Sequence, residues 1–172
     1  MNVRAPANLL HLPVAHLSAA ERAEIQTLTC HPQPGWGPST WAVLVKVDRH
    51  VVTHMGVLYR VIRIGETRMA VGGFTQVMTR DDWRGRGYAR ASLESAGDFV
   101  RVWLAAPFAL AICPAVDAAY YQRVGWQVHD APITAEQAGQ ITTMHDQVAA
   151  TLVCQPGAVW PSGPIHLCGA PW

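Results

Sequence analysis

The sequence is poor in charged residues and has almost no excess of either sign. Only 15% of its 172 residues are Asp, Glu, Lys or Arg, and the net charge is +1. A nucleic-acid-binding surface concentrates basic residues on one face, so we expect no nucleic-acid partner. Half of the residues are apolar, which excludes a disordered chain, and the length suits one domain over residues 1–172.

Long apolar runs, export signals and paired cysteines are also missing. No run approaches the length of a membrane span, and residues 1–13 carry no charged-then-apolar signal. The four cysteines are scattered without Cys-x-x-Cys spacing: Cys30, Cys113, Cys154 and Cys168. We therefore expect reduced thiols, no metal site, no membrane partner and a cytoplasmic location.

The periodicity of the apolar residues predicts a mixed α/β domain with helices on both faces of its sheet. Ser18 and Glu21 form a capping box that opens a helix at 19–28, and the Pro- and Gly-rich segment 30–40 is expected to be a substrate-side loop. Strands are predicted at 41–47, 51–64, 69–79, 108–113, 126–129 and 148–154, and further helices at 87–104, 114–124 and 134–145. The tail, 155–172, is expected to be irregular and to end near the surface.

The most informative segment is RGRGYA at residues 84–89, between a predicted strand and a predicted helix. Its glycines let the backbone approach a ligand closely, while unpaired N–H groups, the helix dipole and the guanidinium groups of Arg84 and Arg86 converge on one spot. Such a spot binds a pyrophosphate. The Arg-x-x-Gly-x-Ala spacing fits neither a Walker loop nor a dinucleotide motif. It resembles the coenzyme A loop of the GNAT superfamily of N-acetyltransferases.

A second motif strengthens this resemblance. Residues 118–126, AAYYQRVGW, resemble the superfamily signature in which an aromatic–Tyr pair is followed by glycine and another aromatic residue. The two motifs in this order imply the GNAT fold, a twisted, mostly antiparallel mixed sheet flanked by helices, with a splayed central strand pair. The resemblance also implies acetyl-CoA as co-substrate, a small-molecule amine as acceptor and a homodimer.

Two branches of the superfamily are most similar to the chain. Residues 82–85, DWRG, and the terminal Trp172 resemble the aminoglycoside 2'-N-acetyltransferases, whereas residues 54–66 and 160–163 resemble the rhizobial nodulation N-acyltransferases. Both branches modify a sugar-borne amine. The leading expectation is acetylation of an aminoglycoside-type antibiotic, kasugamycin-like compounds included. Transfer of a longer acyl chain and a non-catalytic acyl-CoA sensor remain the alternatives.

The resemblance assigns roles to residues of this sequence. Backbone groups of Val77, Met78 and Thr79 would pair with the pantetheine arm of the donor. The pyrophosphate would be held by Arg84, Gly85, Arg86, Gly87, Tyr88, Ala89 and Arg90. The Val77 N–H would stabilise the oxyanion, and Tyr121 would protonate the departing thiolate, while its neighbour Tyr120 would pack in the core.

The sequence indicates the general base and the acceptor site less clearly than the donor site. No carboxylate lies between residues 69 and 79, and Thr75 occupies the position of the aminoglycoside-enzyme glutamate, so ordered water or selection of the neutral amine would replace a base. His54 is a second base candidate, although a buried structural histidine fits better.

Four residues are candidate acceptor contacts: Trp36, Thr75, Asp117 and Trp172. The α-carboxylate of Trp172 would reach the amine if the tail folds back, and a frayed terminus is the alternative. Trp36 would stack against a sugar ring, and Asp117 has the alternative of only complementing a helix dipole.

Overall fold

The structure is a computed structural model that describes residues 7–28 and 37–172. The helices and strands are β1 Ala7–Pro13, α1 Ala19–Leu28, β2 Trp41–Val47, β3 His50–Ile64, β4 Thr67–Thr79, α2 Tyr88–Phe99, β5 Phe108–Pro114, α3 Ala118–Arg123, β6 Gln127–His129, β7 Ile133–Gln137, β8 Gln140–Thr143, β9 Gln147–Val153 and β10 Ile165–His166. A π-helical turn, Val100–Leu104, extends α2, and a 3₁₀ turn, Ala115–Asp117, precedes α3. No helix within the described ranges is long and apolar enough to cross a bilayer.

The strands form a single mixed sheet. Its order is β6-β9-β5-β4-β3-β10-β7-β8, and β2 pairs with β3 and with β1. The pairs β4–β5 and β7–β10 are parallel, and the other pairs within the described ranges are antiparallel. The predicted fold class, a mixed α/β fold with a mostly antiparallel sheet, is confirmed.

The parallel pair at the centre of the sheet is short. Strand β4 pairs with β5 only from Val71 to Phe74, opposite Phe108 to Ala111. Both strands continue beyond this region, β4 to Thr79 and β5 to Pro114. Strand β5 then keeps its other neighbour, β9, along its full length. The sheet therefore opens between β4 and β5, which is the splayed pair that the sequence predicts.

Apolar side chains cover both faces of the sheet. On one face, Leu93 and Val100 pack with Phe74 and with Tyr121 of α3. On the other face, α1 and the hairpin β7–β8, together with the C-terminal tail, cover two further buried clusters. Since successive strand residues point to opposite faces, strands covered on both sides become almost continuously apolar. The run from 51 to 58 in β3 shows this pattern.

Two adjacent glycines in β4 let both layers approach the sheet closely. A Cβ atom on Gly72 would lie 2.2 Å from Cγ2 of Val100, and one on Gly73 would lie 2.7 Å from the indole of Trp172. These contacts lie on opposite faces, because Gly72 and Gly73 are consecutive in the strand. Any larger residue at either position would push one layer away from the sheet.

The structure corrects the predicted helix at 134–145. This segment forms strands β7 and β8, joined at Ala138 and Gly139, whose φ values are +50° and +77°. Two consecutive residues with positive φ form the tight turn that suits the twist of a β-hairpin. Within β7, Ile133 and Ala135 are buried while Glu136 is exposed, so the residues alternate with the period of a strand rather than of a helix.

The prediction that the tail ends near the surface is also wrong. Trp172 is 0% exposed, and β10 inserts between β3 and β7. The guanidinium group of Arg60 lies 4.9 Å from the centre of the Trp172 ring, and Arg60 also donates a hydrogen bond to the carbonyl of Ala170. The tail therefore folds back onto the sheet, and the slot at Gly73 accommodates its last side chain.

Replacing Trp172 with Ala should lower the free energy of unfolding by about 3–5 kcal/mol, because it empties a large volume between Gly73 and Arg60. Urea denaturation measures the loss. Trp103→Ala is the matched control: Trp103 is 76% exposed, so its removal should cost less than about 0.5 kcal/mol. Similar losses for the two variants would contradict the burial of Trp172.

Candidate active site

A β-bulge marks the point at which β4 leaves β5. His54 of β3 faces Met78, whereas Gly56 faces Thr75, so two residues of β4, Gln76 and Val77, occupy the space opposite one residue of β3. Gln76 has a φ of +52°. A bulge takes the extra residue out of the regular ladder and redirects the backbone groups next to it. The bulge thus changes the direction of the backbone around Val77.

The loop after β4 forms a cradle of backbone amides at the start of α2. Gly85 and Gly87 have φ values of +73° and +84°, and Gly87 caps the helix. A Cβ atom at either glycine would have no neighbour within 4 Å. The first N–H groups of a helix have no partner within the helix, and they carry the positive end of its dipole. The cradle is therefore open space lined by donors, which suits a phosphate group.

The two arginines of the loop have intramolecular partners. Arg84 forms an ion pair of 2.8 Å with Asp81, and both side chains are exposed. Arg86 lies 4.4 Å above the ring of Trp83 and donates a hydrogen bond of 3.0 Å to the carbonyl of Asp82. Exposed pairs of this kind contribute little free energy, so a phosphate can replace these partners at small cost.

A cavity of about 540 Å³ runs from the cradle along the end of β4 to α3. It is lined by Val77, Met78, Thr79, Trp83, Arg84, Gly85, Arg86, Gly87, Tyr88, Ala89, Arg90, Asp117, Tyr120 and Tyr121. Every residue that the sequence assigns to the donor lies along this cleft, together with Tyr121. Arg90 forms an exposed ion pair of 2.7 Å with Glu94 on the next turn of α2.

Tyr121 lies where α3 meets the core. It is 6% exposed, and its ring contacts those of Trp126 and Tyr120 edge-on, at centroid distances of 5.4 and 5.6 Å. Burial is the main cause that raises the pKa of Tyr121 above its ordinary value. The phenol therefore stays protonated across the physiological range. A protonated phenol in the cleft can donate a proton or a hydrogen bond to a leaving group.

The described acceptor candidates lie on two faces of the sheet. Asp117 lines the donor cleft next to α3, and Thr75 is buried beside Gly56 on the other face of the sheet. Trp172 is fully buried on the same face as Thr75, and the contact between its carboxylate and an acceptor stays a prediction. Trp36 lies outside the described residues, as does most of the predicted substrate-side loop.

Sequence reasoning missed the bulge and the residue that contacts it. His54 is 4% exposed and pairs with Met78 immediately beside the bulge. Glutamine has no special preference for positive φ, so the residue type at position 76 gives no signal. A histidine inside the mostly apolar run from 51 to 58 is the one hint that the sequence offers.

Solved structures of N-acetyltransferases share this fold. YhbS from Escherichia coli, a GNAT family N-acetyltransferase in complex with CoA, has a TM-score of 0.64 and 12% identity, covering 98% of this chain and 93% of that chain. A GNAT family acetyltransferase from Brucella melitensis in complex with acetyl-CoA has a TM-score of 0.58 and 15% identity, covering 92% and 94%. An acyl-CoA N-acyltransferase from Pseudomonas aeruginosa has a TM-score of 0.59 and 16% identity, covering 85% of this chain and 99% of that chain. The fold is that of the GNAT superfamily.

A match to a family model assigns the chain to one family within this superfamily. The model of the nodulation protein A family, NodA, matches residues 37–161, which include β2 to β9, the cradle and Tyr121. The chain belongs to this family, whose members are GNAT-like acyltransferases. The similarity to the nodulation branch that the sequence predicts is therefore confirmed. No curated protein matches the chain in sequence.

Replacing Gly87 with Ala should weaken CoA binding by about tenfold or more, because the added methyl group fills the space through which the backbone approaches a phosphate. Isothermal titration calorimetry with CoA measures the effect. Gly139→Ala is the matched control, since Gly139 also has positive φ and open space around its Cβ position but lies in the β7–β8 turn. A similar loss of affinity in both variants would argue against the cradle.

Proposed function

We propose that the chain transfers an acyl group from an acyl-CoA to a primary amine of a small amino sugar, with both reactants bound at once. The observation that carries the proposal is the single cleft that joins the glycine cradle, the bulged strand and Tyr121. These features supply a site for the pyrophosphate, a backbone donor near the reacting carbonyl and an acid near the sulfur. Each of these features would contact a different part of one extended acyl-CoA molecule.

Donor binding would depend chiefly on backbone groups. The N–H groups at Gly87 and at the start of α2 would hold the pyrophosphate, with Arg84 and Arg86 exchanging their present partners for its oxygens. The pantetheine arm would lie in the opening between the strands, where Val77 to Thr79 line the cleft and β5 no longer pairs with β4. This mode of binding places the thioester at the bulge.

The chemistry needs no covalent intermediate on the protein. The neutral amine attacks the thioester carbonyl, and the Val77 N–H stabilises the oxyanion that forms. Collapse of this intermediate breaks the C–S bond, and Tyr121 donates a proton to the departing thiolate. The nitrogen gives its own proton to solvent, and Tyr121 is then reprotonated, so that the products are an amide and the free thiol of CoA.

The proposed acceptor, an amino sugar, is supported by the resemblance of the sequence to two groups of enzymes. Both the aminoglycoside 2'-N-acetyltransferases and the nodulation N-acyltransferases modify an amine carried by a sugar. An aminoglycoside-type antibiotic with acetyl-CoA is one candidate pair of substrates. The family match favours the second candidate, in which a longer acyl chain is transferred to an amino sugar. The presence of Tyr121 in the cleft supports catalysis over the alternative of a sensor that only binds acyl-CoA.

Replacing Tyr121 with Phe should lower kcat by about a hundredfold while the affinity for CoA changes little, because only the proton donor is removed. The raised pKa of Tyr121 also predicts that ionisation of this phenol causes no loss of wild-type kcat up to about pH 10. Steady-state kinetics across this pH range measure both effects.

Tyr120→Phe is the control for that experiment. The Tyr120 hydroxyl is buried and has no hydrogen-bond partner in the described part of the chain, so its removal should leave kcat within about twofold. Equal kcat for wild type and Tyr121→Phe would count against the acid role.

Release of free thiol should be observed when the protein is given acyl-CoA donors of increasing chain length and a panel of amines. The panel contains aminoglycosides, glucosamine, chitosan oligosaccharides, polyamines and peptides. Turnover confined to sugar amines would support the proposal, and the preferred donor separates acetylation from long-chain transfer. Tight binding of CoA with no turnover in any combination would overturn it in favour of a sensor.

A further inference from the structure

Three arginines line the donor cleft, Arg84, Arg86 and Arg90, and two of them are paired with carboxylates. Nη2 of Arg84 lies 2.8 Å from Oδ1 of Asp81, and Nε of Arg90 lies 2.7 Å from Oε1 of Glu94. Neither Asp81 nor Glu94 is among the described residues that line the cleft. The charges of two cleft arginines are therefore balanced by groups outside the cleft before a donor binds.

The Arg84 side chain folds back over its own loop. Its Nε atom donates a hydrogen bond of 3.3 Å to the carbonyl of Thr79, at the end of β4, while its Nη2 atom pairs with Asp81. Asp81 opens the 3₁₀ turn Asp81–Trp83 that separates β4 from the glycines. A phosphate that is to bind this guanidinium group fully must take the place of the Asp81 carboxylate.

Arg86 differs from the other two arginines. It forms no ion pair in the part of the chain that the structure describes, and it is held by the ring of Trp83 and the carbonyl of Asp82. The first turn of α2 contains no acidic residue, although acidic residues stabilise that end of a helix. Arg86 and the positive end of the helix dipole thus stay available to an anion, whereas Arg84 and Arg90 do not.

A paired guanidinium group binds a phosphate less tightly than a free one. The phosphate has to displace the carboxylate, which then remains nearby and repels it. Both pairs are exposed and contribute little free energy, so the donor can open them. The loss of affinity applies equally to the acyl-CoA donor and to the CoA product, because the two molecules carry the same phosphates. A weaker product complex dissociates faster.

We propose that Asp81 and Glu94 are counter-ions that limit the affinity of the cleft for the CoA moiety and thereby speed the release of CoA after transfer. This inference rests on the proposed function, since it concerns the same donor in the same cleft. The two carboxylates touch neither the thioester nor the acceptor. They act through Arg84 and Arg90, which exchange them for phosphate oxygens when the donor binds.

The test uses Asp81→Asn and Glu94→Gln, which keep the size of each side chain and remove its charge. Each variant should lower the Kd for CoA by about twofold to fivefold, the range expected for freeing one exposed ion pair. Isothermal titration calorimetry with CoA at low ionic strength, where exposed charges are screened least, measures the change. Stopped-flow displacement of bound CoA should show a slower release by a similar factor.

Asp98→Asn is the matched control. Asp98 forms an exposed ion pair of 2.9 Å with Arg101 near the other end of α2, and neither residue lines the donor cleft. Its replacement makes the same change in net charge and should leave the Kd for CoA within about 1.5-fold. An equal gain of affinity in this variant, or an unchanged Kd in both Asp81→Asn and Glu94→Gln, would overturn the counter-ion role.

A second comparison shows whether Asp81 acts through its partner. In an Arg84→Gln background, Asp81→Asn should have less than half of its effect on the logarithm of the Kd, because the carboxylate then has no guanidinium group to hold. The same gain in both backgrounds would mean that Asp81 only repels the phosphates from a distance. That result would overturn the exchange of partners at Arg84.

The binding measurements separate this inference from the proposed function, because they use CoA alone and need no turnover. If the variants bind CoA more tightly as expected but no amine is acylated, the proposed reaction fails while the counter-ion role stands. If the wild-type protein acylates an amine but the variants bind CoA as it does, only the counter-ion role fails. A wild-type protein that does not bind CoA would overturn both.

Discussion

The separation of β4 from β5 is the constraint on which the site depends. The two strands share four paired positions and then part, and a ligand can lie within the sheet only because neither strand closes the gap. Strand β5 stays in place through its pairing with β9, so the deviation falls on β4 and its bulge. The following loop can therefore turn back over the opening, which brings Gly85 and Gly87 to the same cleft as Tyr121.

The rest of the molecule keeps that opening from collapsing or widening. Val100 packs against one face of β4 at Gly72, and Trp172 packs against the other face at Gly73. Because these contacts lie just before the strands part, they hold the paired region rigid and leave the bulge as the point of divergence. Arg60 holds the C-terminal tail in this position, because its guanidinium group lies over the ring of Trp172 and donates a hydrogen bond to the carbonyl of Ala170. Thus the C-terminal tail, although outside the cleft, supports its geometry.

Features that depend on local sequence patterns could be predicted, whereas features that depend on contacts between residues distant in sequence could not. The strands at 41–47, 51–64 and 69–79 and the loop at 84–89 depend on local patterns, and the structure places them within two residues of the prediction. The sequence predicts a helix where the structure has the β7–β8 hairpin, because the turn at Ala138-Gly139 is short and lies within a polar segment. The burial of Trp172 was missed because it depends on Gly73, which is distant in sequence. The bulge at Gln76 was missed because its partners lie on β3.

The absence of a carboxylate on β4 then shapes the acceptor that the site can use. Thr75 is buried and has no basic group, and burial lowers the pKa of His54 to about 4, while its Nδ1 atom lies out of contact with solvent. In the proposed reaction, the attacking amine would reach the cleft already neutral and release its second proton to water. At neutral pH the neutral fraction of an amine rises as its pKa falls, so an amine on a sugar ring is favoured over the more basic side chain of lysine. A site of this kind would select its acceptor partly by basicity, which is the physical reason why the proposed function takes an amino sugar as the acceptor.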